Sequence, residues 1–592
     1  MSSAAKDYEW QKVDEKQLAT SVWGVAKRIE ANQAWRRSLM LRNARMYQNQ
    51  AISGFGFGEY GKMLASPQSD ALTFNGVRSC VDTAAARISK TKPRPLFLTD
   101  DGDWSMERRA KGMTAYLDAL FDASKNYPAM QRQFLDAAVY GIGAKLWFIE
   151  DSEVRQERIA PNELLVDDDD ARRGAPWQMH RVRPVLAAKL VEMFPKHEVA
   201  ILASQQRPNG SVSPWVTTLE SWHVSTASEA ENGRHCITIK DAALHCEGWD
   251  WTWLPATFYR WADDLEGFWG TSLVDELYPL QLELNRVLRV IQQSQHFACV
   301  PRVFMDVGTQ IARTLSNEIG EEVRYVGKPP TVMTAPAQPS EIYAHAENIW
   351  QKMFSVSGIS AMSASSQKPS GLDSGVALRE YKDTESERFA LKSQRYEELS
   401  VADARIAIEL TRYLAKTDKA PKLLALNHNS ARAVDWGTAD IEDSKYLLRC
   451  YPVNFLPSQP AGKLQFIKEL RQEFPNKFPE ELAISLLEYP DLKQFTSMAS
   501  APVDMVKFHL EMIIERGRMI RPSKFDNLEL CKTMGHHAFL RGSADGMPKA
   551  KLDLLVEWLD LVVEEIEAQM PPPPPAPMPM GPPGPEMPPM AA

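Results

Sequence analysis

Apolar residues recur at intervals of three and four over long stretches of this chain, a pattern that predicts helices with one buried face. Between Thr20 and Gln50 the residues Val22, Val25, Ile29, Trp35, Leu39 and Met46 keep that spacing among Arg, Lys and Gln, and the glycines from Gly54 to Gly61 end the element. Val77, Val81, Ala84, Ala85 and Ile88 predict a second helix over 76–89, stopped by Thr91-Lys-Pro-Arg-Pro95 because proline cannot donate a backbone hydrogen bond. Two more are expected around 105–124 and 128–140. Beyond Gly141 the period shortens. Lys145–Ile149, Glu163–Val166, Trp215–Leu219, His235–Ile239 and Thr257–Trp261, each bounded by Gly, Pro, Asn or Asp, read as short strands. Residues 141–265 are therefore expected to form an α+β lobe on an antiparallel or mixed sheet.

Helical spacing returns over 272–299, where Leu273, Leu277, Leu280, Leu284, Val287, Leu288 and Ile291 form one stripe that Pro301 stops. Pro329, Pro330, Pro336 and Pro339 mark an extended excursion, and 341–357 is helical again. The segment from Gly358 to Gly371 is built of small residues with almost nothing to anchor it in a core. From Leu372 to about Ala415 the pattern predicts a charged helix roughly 60 Å long at ~1.5 Å per residue. After Pro421 come a β-like stretch near Tyr446–Phe455 and a helical series to about Gln569. Residues 570–592, nearly all Pro, Met, Gly and Ala, cannot bury enough to fold and read as a flexible tail.

At 592 residues the chain exceeds what one hydrophobic core organises, and its 44% hydrophobic and 24% charged residues are ordinary globular values. The net charge of −9 argues against a broad phosphate-gripping surface, whose affinity would come from many Lys and Arg contacts, but allows a protein through which nucleic acid passes. Cys80, Cys236, Cys246, Cys299, Cys450 and Cys531 are too scattered for a disulfide framework and read as reduced thiols. Met1–Lys16 lacks the apolar core of a signal peptide, and no apolar run reaches the roughly 18–20 residues of a membrane span. A soluble protein made in the cytosol is expected.

The candidate chemical motifs are incomplete. Gly56-Phe-Gly-Glu-Tyr-Gly61-Lys62-Met63 satisfies G-x-x-x-x-G-K, then places Met63 where a phosphate loop needs a magnesium-binding hydroxyl, and no apolar strand precedes it. Asp167–Asp170 offers four carboxylates, but adjacent side chains diverge, so a solvated turn at a strand end is the better reading than an ion site. His235-Cys236 and His245-Cys246 carry zinc-binding atoms without the close pair spacing of structural sites, and read instead as facing strands of one hairpin. Trp249, Trp251, Trp253, Trp261 and Trp269 lack the interleaved cations of a base-stacking platform, Arg260 being the one close cation, and point to core or intersubunit packing. No nucleophile elbow, His-Glu-x-x-His pair or kinase set is present. An assembly or conduit role is expected ahead of catalysis, with no cofactor and no metal.

Taken together, the segments resemble the portal protein, or head-to-tail connector, of tailed bacteriophages, most closely of the short-tailed phages. Phe268-Trp-Gly-Thr-Ser-Leu-Val274, closing a Trp-rich strand and opening a helix that carries Leu284-Asn285, is similar to the start of that family's first stem helix. Ile159-Ala-Pro-Asn-Glu-Leu-Leu-Val-Asp167 is similar to the strand and acidic turn of its wing region. The resemblance covers about residues 20–480 and rests on the order of elements. It implies a predominantly helical α+β portal fold assembled as a ring with an axial channel. Residues 1–265 would be N-terminal helices and wing, 266–300 the first stem helix, 301–340 the clip, 341–357 the second stem helix, 358–371 a tunnel loop and 372–416 the spanning helix. A wing return (417–480), a helical crown (481–569) and the tail (570–592) would follow.

The resemblance further implies a homo-oligomer, usually dodecameric, at one capsid vertex of the virion, assembled in the host cytoplasm with no membrane involved. Double-stranded DNA would pass through it, the terminase large subunit would dock at the clip, capsid or scaffolding protein would surround the wing, and head-tail adaptor or tail proteins would follow. Small residues at the constriction suit a duplex that must slide, since each phosphate clamp adds friction. The channel candidates are Ser360, Ser363, Ser365, Ser366, Gln367, Lys368 and Ser370, with Lys368 the one cation of the loop. Glu276, Glu283, Arg286 and Arg289 flank the stem stripe as intersubunit candidates, against the plainer reading of i to i+4 pairs contributing ~0.2–0.5 kcal/mol each. Asp373 suits the first turn of the long helix. Two rival readings are a packaging ATPase or nuclease using Gly56–Lys62 and the Asp167–Asp170 run, and a non-viral helical scaffold.

Overall fold

The computed structural model describes residues 10–49, 74–89, 92–99, 104–173, 176–206, 212–225, 232–265, 267–299, short pieces between 302 and 333, 339–359, 389–417, 423–427, 430–434, 436, 446–451, 502, 505–510, 512–514, 517–544 and 547–569. The chain is mixed α+β and mostly helical. It divides into two compact units, residues 1–98 with 110–453, and residues 99–109 with 454–592.

The first unit opens with α1 (Glu15–Asn32) and α2 (Ala34–Tyr47). The hydrophobic pattern had predicted one continuous helix here. Gln33 leaves the helical conformation between them, and its buried side-chain amide donates to the carbonyl of Val166, 2.6 Å away. A tertiary hydrogen bond thus breaks a helix that local spacing would continue. Next come α3 (Gly76–Ile88), then β1 (Arg94–Thr99), a strand the sequence pattern did not predict, and then α4 (Trp104–Ala123) and α5 (Asn126–Tyr140); the three helices lie close to their expected positions. Apolar faces of α3 and α5 meet in a core that contains Val77, Val81, Phe134 and Ala137.

Among the described residues, two antiparallel sheets of eight strands in all follow from Gly141 onward. β2 (Ile142–Glu150) and β3 (Glu153–Ile159) form a hairpin, and β4 (Leu164–Leu165) and β5 (Gln178–Leu186) begin a second sheet. Two short helices, α6 (Ala187–Met193) and α7 (Glu198–Ala203), precede β6 (Trp215–His223), β7 (Arg234–Ile239), β8 (Ala242–Gly248) and β9 (Ala256–Arg260). The sheets have orders β3-β2-β9 and β4-β5-β6-β7-β8. Side chains alternate across a strand, so Leu219 and Cys236 face one side of the larger sheet, where α1 covers them with Leu18, Val22 and Ile29. Met179, Trp222 and Trp249 face the other side and join a tryptophan-rich core.

A two-residue ladder of β10 (Ala262–Asp263) with β11 (Gly270–Thr271) leads into α8 (Leu273–Cys299). Two further short ladders follow: β12 (Arg302–Phe304) pairs with β15 (Thr331–Met333), and β13 (Gln310–Ile311) with β14 (Tyr325–Val326). Pro329, Pro330 and Pro336, which marked the expected excursion, lie outside the described residues. Then come α9 (Ser340–Ser357) and α10 (Ala390–Lys416); residues 372–388 of the expected long helix lie outside the described residues. The β16 (Leu423–Asn427) and β17 (Ser430–Val434) hairpin follows, and β18 (Tyr446–Tyr451) pairs with β1.

The second unit holds α11 (Leu528–Ala544) and α12 (Lys549–Gln569), with Cys531, Leu555, Trp558 and Val562 in its core. The Gly56–Lys62 loop, residues 360–388 and the 570–592 tail lie outside the described residues.

Candidate functional site

The heptapeptide Phe268–Val274 fixes where α8 starts and in which direction it leaves the sheet. Phe268 and Trp269 are buried, anchoring the approach. Gly270 lies against Gly141, which ends α5 with φ at 93°; a Cβ on Gly270 would come within 2.6 Å of the Ala262 carbonyl oxygen and 2.7 Å of that of Gly141. Only a residue without a side chain permits that approach. Ser272 then caps the helix. Its Oγ accepts the N–H of Asp275 at 2.9 Å, while the Asp275 carboxylate accepts the Ser272 backbone N–H at 3.3 Å and its hydroxyl at 2.7 Å, a reciprocal pairing of the capping-box kind. From α2, Asn43 donates to Ser272 Oγ (3.0 Å) and to Asp275 (2.9 Å), and Arg42 donates to the same carboxylate at 2.7 Å.

Further along α8, Gln281 is fully buried and fully used. Its Oε1 accepts the N–H groups of Gly76 (2.9 Å) and Val77 (3.3 Å) at the start of α3, and its amide donates to the Phe74 carbonyl and to Asn285. The helix is thereby bonded to its neighbours over its first half. Its stripe packs with Ile349, Met353 and Phe354 of α9 and with Tyr396 and Leu399 of α10.

Cover thins toward the far end of the pair. Among the described side chains, the last buried one on α8 is Ile291, and the first on α9 is Ile349. Between them a groove of about 300 Å³ is lined by Glu283, Arg286, Val287, Val290, Glu341, Ile342 and His345. Gln295 donates to the Tyr343 hydroxyl across it, at 3.2 Å. Of the four intersubunit candidates, Glu283 and Arg286 form an i to i+3 pair at 3.4 Å on this rim, Glu276 is exposed one turn above the helix start and Arg289 is half-buried. The channel candidates Ser360, Ser363, Ser365, Ser366, Gln367, Lys368 and Ser370 all lie outside the described residues.

The long helix is held by a charge. Asp403, fully buried on α10, accepts from Lys145 Nζ (2.5 Å), Trp147 Nε1 (3.0 Å), Thr257 Oγ1 (2.8 Å) and Asn126 Nδ2 (3.3 Å). Burial lowers the Lys145 pKa and Asp403 opposes that fall. No local pattern announced this network.

The Asp167–Asp170 turn is more engaged than the expected solvated turn. Asp168 accepts the N–H of Phe268 at 3.0 Å, and Asp170 those of Trp177 and Gln178 at 2.9 and 3.1 Å. Those carboxylates are committed to backbone groups. Of the five tryptophans, Trp249, Trp251 and Trp253 pack ring on ring, and Trp261 and Trp269 are buried, so core packing describes them.

The two His-Cys pairs do face each other across one hairpin, β7 with β8, as the sequence suggested. Among the described residues His235, His245 and Glu247 place ligand atoms within 4.8 Å of one another, a grouping that the sequence reading of the two His-Cys pairs did not name. Spacing rules for close pairs missed Glu247. No protein-family model matches this chain, and no curated protein matches it.

Proposed function

We propose that this chain is a portal subunit: a ring-forming protein whose paired helices α8 and α9 line up around an axis to leave a channel for double-stranded DNA. The observation that carries this reading is the helix pair itself. Its base is bonded into a complete core, an apolar and charged groove lies between the two helices further along, and two antiparallel ladders are formed by the chain between them. A helix face left open in one copy is completed by the equivalent face of the next in a heterologous ring contact. Glu283, Arg286 and Val290 are on that face. In this reading the ladders form the clip where the terminase large subunit docks, the sheets form the wing against capsid or scaffolding protein, and adaptor or tail proteins join after packaging. The ring belongs at one vertex of a virion and assembles in the host cytoplasm.

The loop after α9, with Lys368 and its serines, would meet the duplex. The acidic balance of −9 supports passage over capture, because a lining dense in Arg would hold phosphate. The enzyme alternative gains nothing from Asp168 and Asp170, whose oxygens already serve backbone N–H groups.

Electron microscopy of the purified chain tests the proposal directly. Rings with an axial hole are expected; solid single-copy particles at every concentration would end it. Deleting Ser363–Lys368 should spare the rings and impair DNA packaging or retention.

A further inference from the structure

The larger sheet carries a group of polar side chains that neither the helix pair nor the core uses. By strand alternation Glu220 and Trp222 on β6, His235 and Ile237 on β7, and His245 and Glu247 on β8 all face the same side of the sheet, with His235 directly opposite both Trp222 and Glu247. His235 Nδ1 lies 2.6 Å from one oxygen of Glu247, and His245 Nε2 lies 3.4 Å from the other. We propose that His235, His245 and Glu247 bind one divalent transition-metal ion, Zn²⁺ being the best match, with a fourth coordination position left open.

Three features of the site support a built metal centre. The first is the donor set: two imidazoles and one carboxylate suit zinc and its first-row neighbours, whereas Ca²⁺ and Mg²⁺ take oxygen ligands almost exclusively. The second is spacing. Ligand atoms within 4.8 Å of one another need only small side-chain adjustments to reach the separation of roughly 3.3 Å that tetrahedral bonds of about 2.0–2.1 Å require. They come from two strands whose register is fixed by backbone hydrogen bonds, so the adjustments leave the main chain in place.

The third feature is the surroundings. Metal-bound histidines commonly donate their second ring nitrogen to a carboxylate, which sets the tautomer. His235 has such a partner: its Nε2 lies 3.3 Å from Glu220, leaving Nδ1 aimed at the cluster. Trp222 stacks on the same ring at 5.0 Å and 8°, fixing its plane, while Trp249 meets its edge at 6.2 Å. Phe194 stacks on His245 at 6.4 Å. The site thus has an apolar rim and a mostly buried inner histidine, with His245 and Glu247 at 42% and 49% exposure providing the way in. β8 ends the sheet order, so the ion would fasten its outermost strand to β7.

The test uses the full chain stripped with a chelator and dialysed, then titrated with ZnSO₄ by calorimetry, with bound metal counted by elemental analysis. One Zn²⁺ per chain and a Tm that rises with Zn²⁺ concentration are expected, with Ca²⁺ and Mg²⁺ producing neither. Co²⁺ in place of Zn²⁺ should give visible bands of a low-symmetry four-coordinate site. His245→Ala and the near-isosteric Glu247→Gln should each abolish the tight event while circular dichroism stays that of the parent. Glu220→Gln should weaken affinity about 10- to 100-fold without changing the stoichiometry. His537→Ala, at an exposed position of α11, should bind as the parent does. Absence of stoichiometric Zn²⁺, or affinity unchanged in both His245→Ala and Glu247→Gln, overturns the proposal.

Discussion

The two long helices that leave the sheets, α8 and α10, are held in opposite ways. α10 crosses β2 and β9 with a buried carboxylate that finds four donors, so its polar needs are met within one chain. α8 is bonded as tightly at its base, through Ser272, Asp275 and Gln281, and then continues beside α9, where its described side chains from Gln292 to Gln295 are exposed or half-buried. Where the fold must be self-sufficient it is saturated, and where a second copy would supply cover it is left open. Substitutions in the two places should therefore separate folding from assembly.

The largest effect is expected at Asp403. Asp403→Ala leaves Lys145 as an uncompensated buried charge and strips partners from Trp147 and Thr257, a loss of about 3–5 kcal/mol by chemical denaturation. A Lys145→Met/Asp403→Leu double variant should recover much of it, since replacing both charges by apolar groups removes the desolvation cost. A double variant as unstable as Asp403→Ala would show that hydrogen-bond geometry, not charge burial, dominates there.

Next comes the footing of α8. Gly270→Ala drives a methyl group against two backbone carbonyls that cannot rotate away, and should cost about 1–3 kcal/mol, read as a fall in Tm. Ser272→Ala removes the cap and the Asn43 contact for about 1–2 kcal/mol. If either variant unfolds no more readily than the parent, the launch of α8 is set by its apolar stripe alone.

A smaller, pH-dependent contribution belongs to Glu157. Burial alone would raise its pKa, but hydrogen bonds from buried Arg181 and from Arg183 outweigh that and hold it below the ordinary carboxylate value. With the folded value depressed, its stabilisation is complete above the unfolded pKa of about 4.3 and fades as pH falls through the folded one. Glu157→Gln should therefore be less stable than the parent at neutral pH by about 1 kcal/mol, discounted for its partial exposure, with the gap closing in acid. A gap that widens on acidification would invert the assignment.

Legibility in the sequence followed the range of the interactions. The stripe from Leu273 to Ile291 and the helix from Gly76 announced themselves because helical burial repeats locally every three or four residues. The break at Gln33 was not announced, since its cause is a carbonyl 133 residues away. Nor was the Lys145–Asp403 pair, separated by 258 positions. The metal-ligand grouping lies between these extremes. His235 and Ile237 alternate along one strand as His245 and Glu247 do along the next, and the short turn at Lys240-Asp241 folds them together, so a period-two reading of the hairpin would have found Glu247. The close-pair rule for zinc looked along the chain when the pairing ran across it. The Phe268–Val274 signature was visible as letters, but the meaning of Gly270 required Gly141 beside it.

The smallest effect on folding is expected at the far half of the helix pair, and there it is the most informative. Val290 is 46% exposed, so Val290→Asp removes little packing within the chain and should shift its unfolding by no more than about 0.5 kcal/mol. Glu283→Ala, which breaks an exposed ion pair with Arg286, should be as quiet. In a ring, the same Val290→Asp would bury an unpaired carboxylate in every subunit contact, and sedimentation should show single copies where the parent forms rings. The two readouts divide the possibilities: lost assembly with an intact fold locates the contact on this face, whereas unchanged rings place the α8–α9 groove outside the interface. A chain that unfolds on this substitution would mean that the groove is already closed by its own residues, and the contrast between the saturated and the open helix would disappear.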